Sequence, residues 1–136
     1  MAAQCALRRR EVEMLKAKDI MAKDMVSVRR DTPVEKALEL LLSYNISLIP
    51  VVEVDMTLVG ILTENDLLEL LNGPQRAKGK TVQEFMTQPT VCFREDDNLE
   101  EICRCLLDVP FRRVPVTKEG KLVGIVSRPD VIRCIL

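Results

Sequence analysis

The chain has 136 residues, of which 47% are hydrophobic and 30% charged, as expected for a folded protein rather than a disordered one. Its 20 lysine and arginine residues nearly balance 21 aspartate and glutamate residues, and a net charge of -1 argues against a strongly basic nucleic-acid-binding protein. Histidine is absent, which excludes a histidine general base, a serine–histidine or cysteine–histidine nucleophile pair and a histidine-ligated metal. The five cysteines lack CxxC spacing and are interpreted as reduced small hydrophobes.

Residues 1–15 are predicted to form an N-terminal helical extension. Leu7, Val12 and Leu15 would face inward on a short amphipathic helix. No apolar core follows a basic region here, so the segment does not have the pattern of a signal peptide. The sequence contains no stretch of 18 apolar residues, so no membrane span is predicted. Together with the reduced cysteines, this predicts a cytoplasmic location.

Residues 16–72 carry the first copy of a strand–helix–strand–strand–helix pattern. A short apolar run at 25–28 predicts the first strand. An apolar stripe at helical spacing predicts the helix that follows: Val34, Ala37, Leu38, Leu41 and Leu42. The segments 48–52 and 57–62 predict two strands joined by a polar turn, and the segment from Glu64 to Leu71 predicts the last helix.

A polar linker at 73–80, containing Gly and Pro, leads to a second copy at 81–136. The second copy has the same order of predicted elements, with strands at 91–93, 114–116 and 121–126, a helix with an apolar stripe from Leu99 to Leu107, and a last helix from Arg128 to Leu136. The sequence therefore predicts two related halves within one chain.

The repeat is visible residue by residue. A shift of 65 positions places Met21 on Met86 and Pro50 on Pro115. After a one-residue deletion, a shift of 64 places the Leu-Val-Gly-Ile motif at 58–61 on the same motif at 122–125. One copy is too small to cover its own sheet. The predicted fold class is therefore α/β (α+β), with two tandem β-α-β-β-α repeats packed sheet to sheet as a pseudo-twofold pair.

Four segments of the first copy resemble a cystathionine-β-synthase (CBS) domain: 19–21, 31–38, 49–52 and 58–67. The second copy resembles the same domain from Glu84-Phe85-Met86 to the segment 122–131. Because both copies carry these motifs in order, the resemblance indicates a tandem CBS pair, or Bateman module, in a stand-alone CBS domain-containing protein. In that family such a module often binds adenosine-containing ligands and regulates an attached or partner protein.

The resemblance implies two ligand clefts, each built from both copies. The first is predicted to bind phosphate and ribose with Arg112, Arg113, Ile125, Ser127 and Asp130, and adenine with Met25, Val26 and Ile46. The second is predicted to consist of Ser47, Ile61, Thr63, Asp66, Thr90, Val91 and Phe111. The second cleft has no arginine at the matching position, so we expect it to suit a nucleoside or to stay empty.

The tetrapeptides that begin at Thr63 and Ser127 each follow a glycine-containing strand and open the last helix of their copy. Their aspartates, Asp66 and Asp130, could accept hydrogen bonds from both ribose hydroxyls, and nearby hydroxyl or N–H groups suit a phosphate. The same spacing is close to a capping box, which needs no ligand and is worth about 1 kcal/mol. The two roles can coexist, and the sequence leaves both open.

Arg112 and Arg113 occupy the positions that Ser47 and Leu48 occupy in the first copy. The planar guanidinium group forms bidentate, charge-assisted hydrogen bonds with phosphate, worth about 1.5–3 kcal/mol each. A solvated basic pair on an edge strand, which discourages aggregation, is the alternative.

The predicted function is a regulatory module that senses AMP, ADP, ATP or S-adenosylmethionine and signals to an unidentified effector protein. No enzymatic activity is expected, because no nucleophile–base pair, metal cluster or Walker-type loop is present. No cofactor is expected beyond the regulatory nucleotide, which Mg²⁺ would accompany if it is ATP. Neither a membrane nor a nucleic acid is an expected partner.

The alternative is a ligand-free dimerisation or protein-interaction module. A homodimer would cover apolar residues on the last helix of each copy: Leu67, Leu68, Leu70 and Leu71, and Val131, Ile132 and Ile135.

Overall fold

The computed structural model describes residues 11–12, 14–68, 79–88, 91–109 and 112–135. The helices are α1 (Ala17–Ile20), α2 (Val34–Tyr44), α3 (Glu64–Leu68), α4 (Leu99–Asp108) and α5 (Arg128–Ile135), with a 3-10 helix at Val82–Glu84. The strands are β1 (Leu48–Val52), β2 (Leu58–Thr63), β3 (Phe93–Arg94), β4 (Arg113–Lys118) and β5 (Lys121–Ser127). Among the described residues, no helix is long and apolar enough to cross a membrane.

The predicted N-terminal extension and linker are largely outside the described residues. Within the predicted extension, Glu11 and Val12 are helical, Met14 and Leu15 are not, and residues 1–10 and 13 are not described. The same holds for residues 69–78, which include the predicted end of α3 and most of the linker.

The chain divides into two compact units that do not follow the boundaries of the repeats. The first-repeat unit contains Val26–Thr90 and Gly120–Leu122. The second-repeat unit contains Val91–Glu119, Val123–Leu136 and the segment that ends at Met25. The strands and helices of each repeat are thus completed by the opening residues of the other repeat. The predicted boundaries at 16–72 and 81–136 mark the repeats in the sequence. As boundaries of folded domains they stay a prediction.

The first predicted strand of each copy is shorter than expected. In the first-repeat unit the pair β1–β2 is antiparallel, and Val28 alone adds a parallel bridge to Val51. Val28 N–H donates to Pro50 O at 3.0 Å, but extending this ladder toward Val26 would need an N–H from Pro50, which proline lacks. In the second-repeat unit β3 pairs in parallel with β4 from Phe93 onward.

The apolar stripes of α2 and α4 form the cores of the two units, with one correction. Val34, Ala37 and Leu41 are buried on α2, and their equivalents Leu99, Ile102 and Leu106 are buried on α4. Leu42 and Leu107 were predicted to be part of the stripes but are 82% and 83% exposed. Eight residues turn a helix about 80° past two full turns, which moves these two leucines off the buried face.

The two hairpin turns differ in the residue that adopts positive φ and in the bonds that stabilise the turn. In the β4–β5 turn, Glu119 and Gly120 have φ of 53° and 80°, and a type I′ turn requires positive φ at both positions. At the place of Gly120, the first copy has Met56 with φ of 73°. Asp55 Oδ1 accepts hydrogen bonds from Thr57 N–H at 3.1 Å and from Thr57 O–H at 2.7 Å. These bonds lower the pKa of Asp55 and hold the turn around it.

Replacing Met56 with glycine is expected to raise the free energy of unfolding by about 0.5–1 kcal/mol, because glycine adopts positive φ without steric cost. Urea denaturation followed by circular dichroism measures the change. In the matched control, Gly120→Ala is expected to lower the free energy of unfolding by about 1 kcal/mol. A destabilised Met56→Gly protein would contradict the prediction.

Candidate functional site

Both Ser/Thr-x-x-Asp tetrapeptides form capping boxes. Thr63 N–H donates to Asp66 Oδ2 at 2.8 Å, and Asp66 N–H donates to Thr63 Oγ1 at 3.4 Å. Ser127 N–H donates to Asp130 Oδ2 at 3.0 Å, and Asp130 N–H donates to Ser127 Oγ at 3.3 Å. The capping interpretation is therefore correct for both tetrapeptides. A carboxylate has about four acceptor positions, so capping alone does not exhaust either aspartate.

The start of each last helix is tied to the segment predicted to lie beside a phosphate. Arg128 N–H donates to Arg112 O at 2.9 Å. In the first-repeat unit, Glu64 N–H donates in the same way to Ser47 O at 3.1 Å. These bonds place Arg112 beside the capping box of Asp130 within one unit. The bond from Arg128 also occupies a backbone N–H that would otherwise suit a phosphate.

Arg112 and Arg113 differ from their neighbour Arg128 in what their side chains contact. The Arg128 guanidinium donates to Leu106 O at 2.9 Å and to Val109 O at 3.2 Å, and so stabilises the C-terminal end of α4. Arg112 is exposed and Arg113 is half-buried. Neither of their side chains forms a salt bridge or hydrogen bond within the described part of the chain. Their charged groups thus remain able to bind an anion.

The two hydroxyl groups of the capping boxes are used differently. Thr63 O–H donates to Asp66 Oδ2 at 3.0 Å, so its proton is engaged. Ser127 O–H has no corresponding donor bond to Asp130 among the described contacts. The hydroxyl of Ser127 can therefore donate to a ligand while its oxygen still accepts from the helix.

The remaining predicted site residues lie in separate units. The second-repeat unit contains Met25 and Val91, both half-buried, and Ile125, which is buried on β5. The first-repeat unit contains Val26 and Ile46, which pack against its core, and Ile61, which is buried on β2. Thr90 and Phe111 lie outside the described residues. The assembly of these residues into two clefts stays a prediction.

The glycine of each Leu-Val-Gly-Ile motif allows a methionine to approach the strand closely. A Cβ added to Gly60 would lie 2.9 Å from Met86 Sδ and 3.1 Å from Thr87 O. Gly124 is packed against Met21 in the same way. In the first-repeat unit this close approach places Thr87 beside the capping aspartate.

Thr87 is a residue of this site that the sequence interpretation missed. Its hydroxyl donates to Asp66 Oδ1 at 2.9 Å. The two residues are 21 positions apart and share no motif. The available signal was the repeat itself, because a shift of 65 positions places Thr87 opposite Ala22.

Three of the four described cysteines fit the interpretation as small hydrophobes, whereas Cys92 is exposed and Cys5 lies outside the described residues. Those at positions 92, 103, 105 and 134 are free. Burial raises the pKa of the Cys103, Cys105 and Cys134 thiols, which disfavours the reactive thiolate. In the described ranges, no group of three or more histidine, cysteine, aspartate or glutamate residues could hold a metal ion.

Comparison with known proteins agrees with this architecture. The family model for the CBS domain matches residues 17–73 and 82–136. The chain belongs to the CBS domain family. It is a mixed α/β protein with two CBS repeats, and the family resemblance drawn from the sequence motifs is confirmed.

Several CBS proteins are similar over most of the chain. CBSX1, a chloroplastic CBS domain-containing protein of Arabidopsis thaliana, is 33% identical over 83% of this chain, which spans 60% of that relative's length. The crystal structure of CBSX2 in complex with AMP has a TM-score of 0.77 and 38% identity, and covers 87% of this chain and 93% of the other. The CBS pair of MJ0100 in complex with 5′-methylthioadenosine and S-adenosyl-L-methionine has a TM-score of 0.75 and 27% identity, and covers 88% and 94%.

Removing the Asp130 side chain is expected to destabilise the protein without any ligand. Asp130→Ala loses the bond from Ser127 N–H and should lower the free energy of unfolding by about 1 kcal/mol. Chemical denaturation of nucleotide-free protein measures this loss, with Asp108→Ala at the last residue of α4 as the control. An unchanged stability would show that the capping box contributes nothing.

Proposed function

We propose that this CBS pair is a regulatory module that binds an adenosine-containing nucleotide at Asp130, Ser127 and the Arg112–Arg113 pair. The observation that carries the proposal lies in one unit, where a capping carboxylate with spare acceptors meets a segment whose two guanidinium groups have no partner among the described residues. The complexes of CBSX2 with AMP and of MJ0100 with S-adenosyl-L-methionine support a ligand of this class.

The spare acceptors of Asp130 suit a ribose. Its Oδ2 accepts one bond from Ser127 N–H, and its Oδ1 accepts one from Arg133, whose side chain is 73% exposed. Two of about four acceptor positions are therefore left for the two hydroxyl groups of a ribose.

The phosphate would be bound by side chains. The N–H of Arg128 donates to Arg112 O, Pro129 has no N–H, and the N–H of Asp130 donates to Ser127 Oγ. The first turn of α5 therefore offers few backbone donors, so Arg112, Arg113 and the hydroxyl of Ser127 would supply the bonds to the phosphate.

Signalling would follow if two arrangements of the protein bind the nucleotide with different affinity. An effector protein that responds to this difference is part of the proposal, as is the absence of a catalytic activity of the CBS pair itself. The involvement of Mg²⁺ with ATP and a cytoplasmic location stay predictions from the sequence.

Calorimetric titration with AMP and with adenosine tests the phosphate contacts. Arg112→Met and Arg113→Met are each expected to weaken AMP binding by roughly 10–100-fold, because each loses a charge-assisted bond, and to leave adenosine binding nearly unchanged. Arg104→Met is the matched control, since Arg104 is paired with Glu100 on the exposed side of α4. The absence of binding by the unmodified protein at millimolar AMP, ADP, ATP and S-adenosylmethionine would contradict the proposed function.

A homodimer is the second candidate, and an exposed apolar surface favours it. Leu107 on α4 and Ile132 on α5 are 83% and 55% exposed and border a groove of about 360 Å³. Ile135 and, in the other unit, Leu68 are also exposed. Leu67 and Val131, which were predicted to contribute to such a surface, are instead buried in the cores of their units.

Light scattering tests this second candidate. The unmodified protein is expected to have the mass of a dimer, and Ile132→Glu the mass of a monomer, because a buried unpaired carboxylate opposes association. Arg104→Glu, an exposed change on α4, serves as the control. A monomer at high concentration of the unmodified protein would contradict dimerisation.

A further inference from the structure

Thr87 and Ala22 occupy the same backbone position in the two units. Thr87 N–H donates to Ile61 O at 2.8 Å, and Ile61 N–H donates to Thr87 O at 3.3 Å. Ala22 and Ile125 exchange the same two bonds at 2.8 and 3.0 Å. The opening segment of each repeat therefore runs past the glycine-containing strand of the other repeat in the same way, and the difference between the two positions lies in the side chain.

The two side chains differ in whether they can bond to the neighbouring aspartate: threonine has a hydroxyl donor and alanine has none. Asp66 accepts three hydrogen bonds, from the N–H and O–H of Thr63 and from the O–H of Thr87. Within the described part of the chain, Asp130 accepts two, from Ser127 N–H and from Arg133. Because a carboxylate has about four acceptor positions, Asp66 keeps about one free and Asp130 about two.

A ribose presents two neighbouring hydroxyl groups, so it needs two acceptors on one carboxylate. We infer that Thr87 is a specificity-determining residue, which occupies an acceptor of Asp66 and thereby directs the nucleoside to Asp130. The inference rests on the proposed function, because it assumes that these aspartates bind ribose. It adds that the Thr87 hydroxyl lowers the number of free acceptors on Asp66 below that on Asp130.

The bond from the Thr87 hydroxyl is expected to lower the affinity of Asp66 for a ribose. A ribose that binds Asp66 through both hydroxyls must displace a hydroxyl donor, and Thr87, unlike Thr63, lies outside the capping box. Once displaced, the Thr87 hydroxyl needs another partner in a half-buried place. Loss of one hydrogen bond to a charged group corresponds to a decrease in affinity of roughly 10–100-fold.

The experiment isolates each aspartate before changing its neighbour. In an Asp130→Ala background, which leaves Asp66, AMP affinity is measured by calorimetry with and without Thr87→Val. Valine has the shape of threonine and keeps the backbone bonds to Ile61, and Thr87→Ser keeps the hydroxyl and is the matched control. In an Asp66→Ala background, Ala22→Thr introduces the hydroxyl at the other end.

Thr87→Val is expected to tighten AMP binding at least tenfold in the Asp130→Ala background, whereas Thr87→Ser leaves it unchanged. Ala22→Thr is expected to weaken AMP binding to a similar extent in the Asp66→Ala background. Unchanged affinity on Thr87→Val, in a protein whose thermal unfolding shows that it is folded, would overturn the inference.

Failure of the proposed function gives a different pattern. If the unmodified protein binds AMP, but Thr87→Val has no effect in the Asp130→Ala background, only the role of Thr87 is overturned. Another outcome is that the unmodified protein does not bind AMP, whereas the Thr87→Val protein does and Asp66→Ala abolishes that binding. This outcome supports the role of Thr87 and overturns the assignment of the nucleotide to Asp130. If neither protein binds AMP, both proposals are overturned.

Discussion

The close approach of a methionine to a glycine is the contact on which both units depend. Gly60 accommodates Met86, and Gly124 accommodates Met21, in each case with too little space for a Cβ atom. Each methionine lies in the opening segment of one repeat but packs on a strand of the other. A single repeat therefore lacks the segment that completes its own unit, which gives a physical reason for the two copies to occur in one chain.

The aspartates that open α3 and α5 serve the fold first. Each carboxylate accepts a backbone N–H and fixes the first turn of its helix, so it is held in one orientation before any ligand arrives. Such preorganisation lowers the entropy that a ligand loses by ordering the site. The position is suited to a ribose because capping uses only part of the acceptor capacity of a carboxylate.

The two units share the backbone bonds around the capping aspartates but differ in the polar side chains there. The bridges Ala22–Ile125 and Thr87–Ile61 and the bonds at the starts of α3 and α5 have matching geometry in the two units. Arginines occupy the positions of Ser47 and Leu48, and a threonine occupies the position of an alanine. These substitutions change the charge and the hydrogen bonding around the capping aspartates of the two units.

The sequence by itself determined the repeat, the order of the strands and helices, the family and the Ser/Thr-x-x-Asp tetrapeptides, because all of these depend on local periodicity and on spacing within a few residues. The exposure of Leu42 and Leu107 follows from helix geometry and the short first strand follows from Pro50, so the sequence already contained both signals. The tertiary structure decided that Arg128 stabilises the end of α4. It also brought Thr87 to Asp66 across 21 positions of sequence. Such contacts depend on how distant segments pack, and no local pattern of residue types records that packing.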